Sequence, residues 1–413
     1  MTHHPTLTWT DVETDAVHTA LSRSEAGNPP PKRVVIADDR TTADTAYRLA
    51  CEGTALLWRG DFQNARQLLQ AISRRTDRKP RKEATSPIEA FNFHRQAQSQ
   101  RARTLGMLLI PLDADYTIPL RRAPDMREAC NEAYGAGEAA SVVSLRELLG
   151  LIGAHEWRKK GVEIPALDGA RIHPHYGVFS PVRGEYIDLV AQAPLPSKAL
   201  AFDIGTGTGV LAAVLAKRGV KRIIGTDQDP RALACARDNL TRLGLQTQVD
   251  ALKAGRQVMV MHEDGFNGLP KFLPPPTRRG LVFIDPSYEI KLDYERVVVA
   301  VSTGLQRFAT GTYMVWFPII ARPESQDLPR RLKALSQQAG KDWLLATLRI
   351  KSGKPDSTAS VPGQARARPG LVASGVFLVN PPYTLKPALA LALPELVAAL
   401  GQDKQSGFSL ESN

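Results

Sequence analysis

Phe202-Asp203-Ile204-Gly205-Thr206-Gly207-Thr208-Gly209 decides how this chain is read. Ala199-Leu200-Ala201 leads into it as an apolar strand, and Val210-Leu211-Ala212-Ala213-Val214-Leu215-Ala216 follows as a helix-forming run. Strand, tight glycine turn and helix in that order form a nucleotide-cofactor cradle. Glycine suits the turn because the backbone must bend sharply and approach a ligand with no Cβ in the way. The dinucleotide pattern G-x-G-x-x-G fits less well, since the third glycine comes one residue early, and no G-K-[ST] follows to make a P-loop. A second acid, Asp227, ends the next apolar run, Arg222-Ile223-Ile224-Gly225-Thr226-Asp227, and can bind both hydroxyls of a ribose. The plain alternative is an ordinary αβ turn that needs glycine for packing.

Working outward, the chain has 413 residues, too many for one ordinary core, and 43% of them are hydrophobic. A net charge of +11 favours an anionic partner, RNA above all. The cysteines Cys51, Cys130 and Cys235 are scattered and lack metal-ligand spacing, so no metal is expected and a reduced, cytoplasmic compartment is. No apolar stretch approaches the roughly 18 residues of a membrane span, and the first residues carry no secretion signal.

Four segments are expected. Residues 1–31 are polar, end in Pro29-Pro30-Pro31 and read as a flexible leader. Residues 32–170 read as a smaller α/β or mostly helical accessory domain. It has a strand at Val34–Asp38, a long amphipathic helical run from Thr41 through Leu69, a strand at Leu105–Leu112 and a helix at Ser144–Lys160. Residues 171–402 alternate strand-like and helical runs, with strands at 199–204, 222–227, 257–262, 281–285, 312–317, 344–350 and 376–380. Seven strands with intervening helices predict a doubly wound, Rossmann-like α/β sheet. The stretch Lys351–Gly370 reads as a mobile basic loop, and residues 403–413 as a disordered tail.

With Asp203 included, the glycine turn resembles D-x-G-x-G-x-G, the S-adenosylmethionine (AdoMet) signature of class I methyltransferases. That resemblance implies AdoMet as cofactor, held by Asp203, Gly205, Gly207, Gly209 and Asp227. Asp264, in His262-Glu263-Asp264-Gly265-Phe266, can accept the adenine amine of the cofactor with Phe266 nearby; a strand-ending Asp-Gly turn is the bland alternative. The fourth expected strand delivers Asp285-Pro286-Ser287-Tyr288, a variant of the [DNS]-P-P-[YFW] motif of enzymes that methylate planar amines. The lone pair of such an amine is delocalised into its ring. Asp285 and the Pro286 carbonyl can accept its two N–H bonds and favour a pyramidal, nucleophilic nitrogen. Tyr288 can stack on an extruded base, worth roughly 1–3 kcal/mol. Alignment of donor and amine can supply on the order of 7–11 kcal/mol. A second tetrad, Asn380-Pro381-Pro382-Tyr383, matches the motif better by letter and reads as a turn lining the pocket.

From about Ala254 to Ala399 the chain resembles the bacterial large-subunit ribosomal RNA adenine-N6 methyltransferases of the RlmJ family. Glu263-Asp264-Gly265-Phe266, Ile284-Asp285-Pro286-Ser287-Tyr288-Glu289, Lys291-Leu292-Asp293-Tyr294 and Ala373-Ser374-Gly375 leading to Asn380-Pro381-Pro382 carry the likeness. It implies Asp285 at the target adenine and Asp264 at the cofactor; Ser287 departs from the family's second proline. Residues up to about Gln248 resemble a different branch, the "small"-domain methyltransferases related to glutamine and guanine-N2 methylating enzymes. Its carriers are His175-Tyr176-Gly177-Val178-Phe179-Ser180-Pro181, Gly184-Glu185-Tyr186 and the glycine turn. The join falls between Leu245 and Arg256. The acceptor therefore stays open between adenine N6 in 23S ribosomal RNA, a guanine amine and a protein glutamine, with a hybrid that only binds RNA as the non-enzymatic alternative. Arg66, Arg74, Arg75, Arg78, Lys79, Arg81, Lys82, Arg95, Arg101 and Arg103 form a basic stretch suited to RNA phosphates; Arg278-Arg279 is a further candidate near the active-site edge.

Overall fold

Two units divide the chain at Lys159/Lys160 in a computed structural model that describes residues 5–11, 14–25, 27–78, 85–181, 185–245, 257–351 and 372–413. In the first unit the strands are β1 (Thr6–Thr10), β2 (Val17–Arg23), β3 (Arg33–Ala37), β4 (Thr54–Trp58), β5 (Leu108–Leu112) and β6 (Ser141–Ser144). The helices are α1 (Ala43–Cys51), α2 (Phe62–Asp77), α3 (Pro87–Leu105), α4 (Arg127–Tyr134) and α5 (Leu145–Lys160). The strands form one mixed sheet in the order β1-β2-β6-β5-β4-β3, so this unit is α/β rather than mostly helical. Residues 6–10 and 17–23, expected in a loose leader, form β1 and β2. Their alternation buries Leu7 and Ala20 against Ala55, Leu57, Leu109 and Val142. The amphipathic run from Thr41 to Leu69 is also interrupted. Gly53, at φ +79°, ends the first helix, and the five residues of β4 are all buried, which suits an interior strand of a mixed sheet.

The second unit runs from Lys160 to Asn413. It opens with a short hairpin of β7 (Val162–Glu163) and β8 (Arg171–Ile172), then α6 (Glu185–Gln192). Then follow β9 (Leu200–Ile204), α7 (Val210–Lys217), β10 (Arg222–Asp227), α8 (Pro230–Arg242), β11 (Gln257–His262), α9 (Gly265–Gly268), β12 (Leu281–Ile284) and α10 (Leu292–Arg307). The unit closes with β13 (Thr312–Ile319), α11 (Pro323–Gln338), β14 (Trp343–Arg349), β15 (Ala373–Val379), α12 (Leu385–Leu400) and β16 (Gly407–Ser412). The sheet order is β11-β10-β9-β12-β13-β15-β14-β16. Each of the seven expected stretches is a strand, and β16 makes an eighth. It occupies the segment expected to be a disordered tail. A full antiparallel ladder on β14, from Leu344↔Ser412 to Arg349↔Gly407, holds it, with Thr347 and Ser409 hydroxyls 2.6 Å apart. Backbone pairing, together with Leu410 packed against the cluster of Leu344, Leu378 and Leu385, fixes this strand, which composition alone does not reveal.

Helices cover both faces. On one, Val297, Val301 and Leu305 of α10 and Leu328 and Leu332 of α11 pack on Phe202, Val282 and Val315. On the other, α6, α7 and α8 bring Ile187, Leu211, Leu215 and Leu240 against Ala201, Ile223 and Phe283. Each such buried side chain stabilises the unit by roughly 1.5–3 kcal/mol. The chain leaves β9 toward β10 and β11 on one side, then returns past it to β12 and β13 on the other. β9 and β12 are therefore the strands between which the winding reverses, and open α/β sheets place their ligand crevice beyond the carboxyl ends of such a pair.

Candidate functional site

Strand β9 delivers the glycine turn into that crevice. Gly205, Gly207 and Gly209 have φ of +84°, +53° and +77°. A Cβ on Gly205 would stand 2.8 Å from the Asp285 carbonyl oxygen, so both strain and space demand glycine. Gly205 and Thr206 donate backbone N–H bonds to the Thr226 carbonyl at 2.9 and 3.0 Å, which fastens the turn to the end of β10. Asp203 lies beneath the turn. It is 2% exposed and accepts a 2.7 Å bond from the Thr206 hydroxyl, so it braces the turn. Burial, opposed by that bond and reinforced by the charge of Asp227, pushes its carboxyl up to about 6.

Asp227, half-buried, accepts N–H bonds from Gly207 and Asp229, each at 3.0 Å and each on a different oxygen. Each oxygen keeps a second lone pair open to a hydroxyl. Asp264 caps α9 by accepting from the Phe266 N–H at 3.1 Å. Its other oxygen takes the Asn267 amide at 3.1 Å and an ion pair from Arg296, whose guanidinium lies 4.6 Å from the Phe266 ring centre. A cofactor amine would share Asp264 with this arginine. Arg296 carries no local motif that would mark it in sequence. The loop nevertheless belongs to the crevice: a Cβ on Gly265 would collide with Ile204 at the end of β9.

Asp285 follows β12 directly, its N–H donating to the Ile204 carbonyl at 3.3 Å. Solvent reaches the residue, yet protein surrounds its carboxyl group on most sides. That crowding, with the charge of Asp203, pushes it up to about 7. Pro286 is half-buried beside it. Tyr288 departs from expectation. Its ring is 3% exposed within the core, 4.6 Å from the Tyr294 ring, and its hydroxyl donates to the Trp316 carbonyl at 2.7 Å. A ring so enclosed offers no face to an extruded base; it anchors the loop that holds Asp285. Arg322, 7% exposed, grips the same loop by donating to the Tyr288 carbonyl at 2.9 Å. Tyr186 on α6 is a further neighbour, its hydroxyl pushed up by burial and by the charges of Asp285 and Asp203. Gly184-Glu185-Tyr186 was the only signal for it. A groove of 860 Å³ between the first turns of α10 and α11, lined by Lys291, Tyr294, Glu324 and Arg331 among others, flanks this loop and does not include the glycine turn.

The second tetrad lies elsewhere. β15 runs antiparallel to β13, pairing Val379 with Tyr313 and Ala373 with Ile319. Its carboxyl end therefore sits where the parallel strands begin, at the edge opposite the crevice. Asn380, at φ +53°, donates its amide to the carbonyls of Ala309 and Gly311 at 3.0 and 2.8 Å and closes a turn there. It does not line the pocket. Arg278 and Arg279 precede β12 and share that far edge, so they too lie away from Asp285. The join near residues 246–256, the loop 352–371, and Lys79, Arg81 and Lys82 fall outside the described residues. Among the described residues no cluster of three or more His, Cys, Asp or Glu is arranged for a metal, and no helix is long and apolar enough to cross a membrane.

Comparison with known proteins yields a family model described as "RsmJ: Ribosomal RNA large subunit methyltransferase D, RlmJ", which matches residues 218–411. Ribosomal RNA large subunit methyltransferase J of Haemophilus influenzae is 36% identical over 156 residues, covering 38% of this chain and 50% of the relative. Its Escherichia coli counterpart is 38% identical over 137 residues, covering 33% and 44%. The chain thus spans about half the length of the curated relatives it matches. The ribosomal protein L11 methyltransferase of Geobacter metallireducens is 45% identical over 47 residues, 11% of this chain and 16% of that one. Among solved structures, a Legionella pneumophila protein aligns with 25% identity and a TM-score of 0.38, covering 48% of this chain and 65% of that one.

Proposed function

We propose that the second unit is an AdoMet-dependent methyltransferase acting on an exocyclic planar amine, adenine N6 of 23S ribosomal RNA in the first instance. One observation carries the reading: the glycine turn after β9 and Asp285 after β12 open onto one crevice, close enough that a single Cβ on Gly205 would strike the Asp285 backbone. The match of residues 218–411 to the RlmJ family model supports the choice of acceptor. Action on ribosomal RNA carries with it a cytoplasmic location.

The residues fit the cofactor. Gly205 lets the turn pack directly against the Asp285 backbone, Asp227 retains acceptor capacity for ribose hydroxyls, and the Thr226 hydroxyl is buried at the same edge without a hydrogen-bond partner among the described residues. Bound AdoMet would supply a methyl group activated on a sulfonium. Gly205, Gly207 and Gly209 shape its cradle, Asp203 braces that cradle, and Asp264 with Arg296 closes the adenine end. The ionised Asp285 carboxylate and the Pro286 carbonyl accept the two amine N–H bonds and turn the nitrogen lone pair toward the donor. Tyr288, Tyr294 and Arg322 keep that pair of acceptors still.

Tritiated AdoMet offered with undermethylated ribosomal RNA, ribosomes and release factors tests the proposal. Label in the large-subunit RNA, lost in Gly205→Ala, is the expected outcome. Label confined to protein would transfer the assignment to a glutamine acceptor.

A further inference from the structure

The arginines of α2 and α3 separate into two groups. Arg75 is neutralised by Asp44 at 2.8 Å, and Arg101 by Asp77 at 2.8 Å with a further bond to Ser73 at 2.6 Å. These two hold the unit together; the second clasps α3 to α2. Arg66, Arg74, Arg78, Arg95 and Arg103 are exposed, and among the described residues none of them forms an ion pair. Their spacing is regular. Arg66, Gln70, Arg74 and Arg78 recur every fourth residue along α2, and Arg95, Ser99 and Arg103 do so along α3. Residues four apart lie above one another on a helix, so each set forms an outward ridge with charges about 6 or 12 Å apart.

The burial of α3 sets it apart from a solvated helix that merely covers a core. Of its described side chains from Ile88 to Leu105, only Thr104 and Leu105 are buried, and Ile88 is 49% exposed. Helices in proteins draw most of their stability from a packed face, and this one has little of it. Five guanidiniums without carboxylate partners among the described residues also repel each other until an anion lies over them. Guanidinium presents a planar fork of donors matched to phosphate oxygens, which Lys does not. The Gln side chains at 70, 96, 98 and 100, all exposed, add neutral donors and acceptors between the charges.

We infer that these two ridges dock the phosphate backbone of single-stranded RNA, giving the first unit a binding role of its own. The inference goes beyond the methyl-transfer reading and does not depend on cofactor binding. Binding of the full chain to a labelled 20-nucleotide oligouridylate, followed from about 50 to 200 mM salt, tests it. Replacing the five arginines by Gln is expected to make log K against log salt shallower by about 0.7 for each phosphate that is no longer neutralised, and to weaken low-salt binding at least 100-fold. Should that variant lose its melting transition, Arg95→Gln with Arg103→Gln reads the same slope and shifts it by about 1.4. An unchanged slope in the folded variant overturns the inference. So does polyglutamate displacing the RNA at equal charge concentration, which would point to an acidic protein partner. AdoMet affinity measured by calorimetry on the same variants separates the two readings: a wild-type chain that binds RNA but not AdoMet removes the enzyme and leaves the docking surface.

Discussion

Asp285-Pro286-Ser287-Tyr288 and Asn380-Pro381-Pro382-Tyr383 share their first proline and their tyrosine and fit one motif, yet they sit at opposite edges of one sheet. The first follows a strand parallel to β9 and enters the crevice. The second follows the antiparallel strand and closes a remote turn. A motif at a strand end acquires its chemistry from the direction of that strand, not from its own residues. The closer match to the consensus is the structural one.

The largest test of this contrast is catalytic. Asp285→Ala is expected to lower methyl transfer by about 10³-fold, the scale of removing a group that acts on the reacting centre, with AdoMet affinity within a few-fold of wild type. Asn380→Ala is expected to leave transfer per folded molecule nearly unchanged and to cost about 1–3 kcal/mol of stability through its two missing amide bonds. Kinetics and chemical denaturation on the same preparations read both; an inactive but folded Asn380→Ala would break the comparison.

The two tyrosines sharpen it next. Tyr288→Ala empties a packed core position and is expected to destabilise the second unit by about 3–5 kcal/mol. Tyr383, 93% exposed, should tolerate alanine within about 0.5 kcal/mol. Equal losses in urea melts would mean that Tyr383 is covered in solution.

A smaller effect comes from pH. The Asp285 carboxyl, raised to about 7, accepts an amine N–H far more strongly when ionised than when protonated. Transfer should therefore rise about tenfold per unit up to pH 7 and level off above it, a limb absent from Asp285→Asn. For stability the sign is the reverse. A carboxyl that holds its proton more tightly folded than unfolded stabilises the fold at pH below its unfolded value near 4, and that contribution is lost as pH rises through 7. Asn380 has no proton to lose, so its turn is silent in both titrations.

Much of this was legible beforehand, and the exceptions have physical causes. The seven strands of the second sheet are apolar runs bounded by breakers, and the glycine turn announces itself by backbone need. The burial of Tyr288 was hidden, because the loop takes φ +53° there and turns the ring inward, a matter of tertiary packing. Strand β4 merged with the flanking helical pattern, since a five-residue buried run has no period of its own. Charge counting also overstated the basic surface: Asp44 and Asp77 cancel two of its arginines, and that cancellation depends on contacts between helices.

The last strand has a material consequence. β14 is a seven-residue, largely apolar ribbon, and β16 occupies its outer hydrogen bonds. The border the sheet presents instead is Gly-Phe-Ser-Leu-Glu-Ser, interrupted by hydroxyls and a carboxylate. Without those six residues, β14 would offer a sticky rim ready to zip onto another copy, and the preparation would tend toward aggregates rather than monodisperse protein.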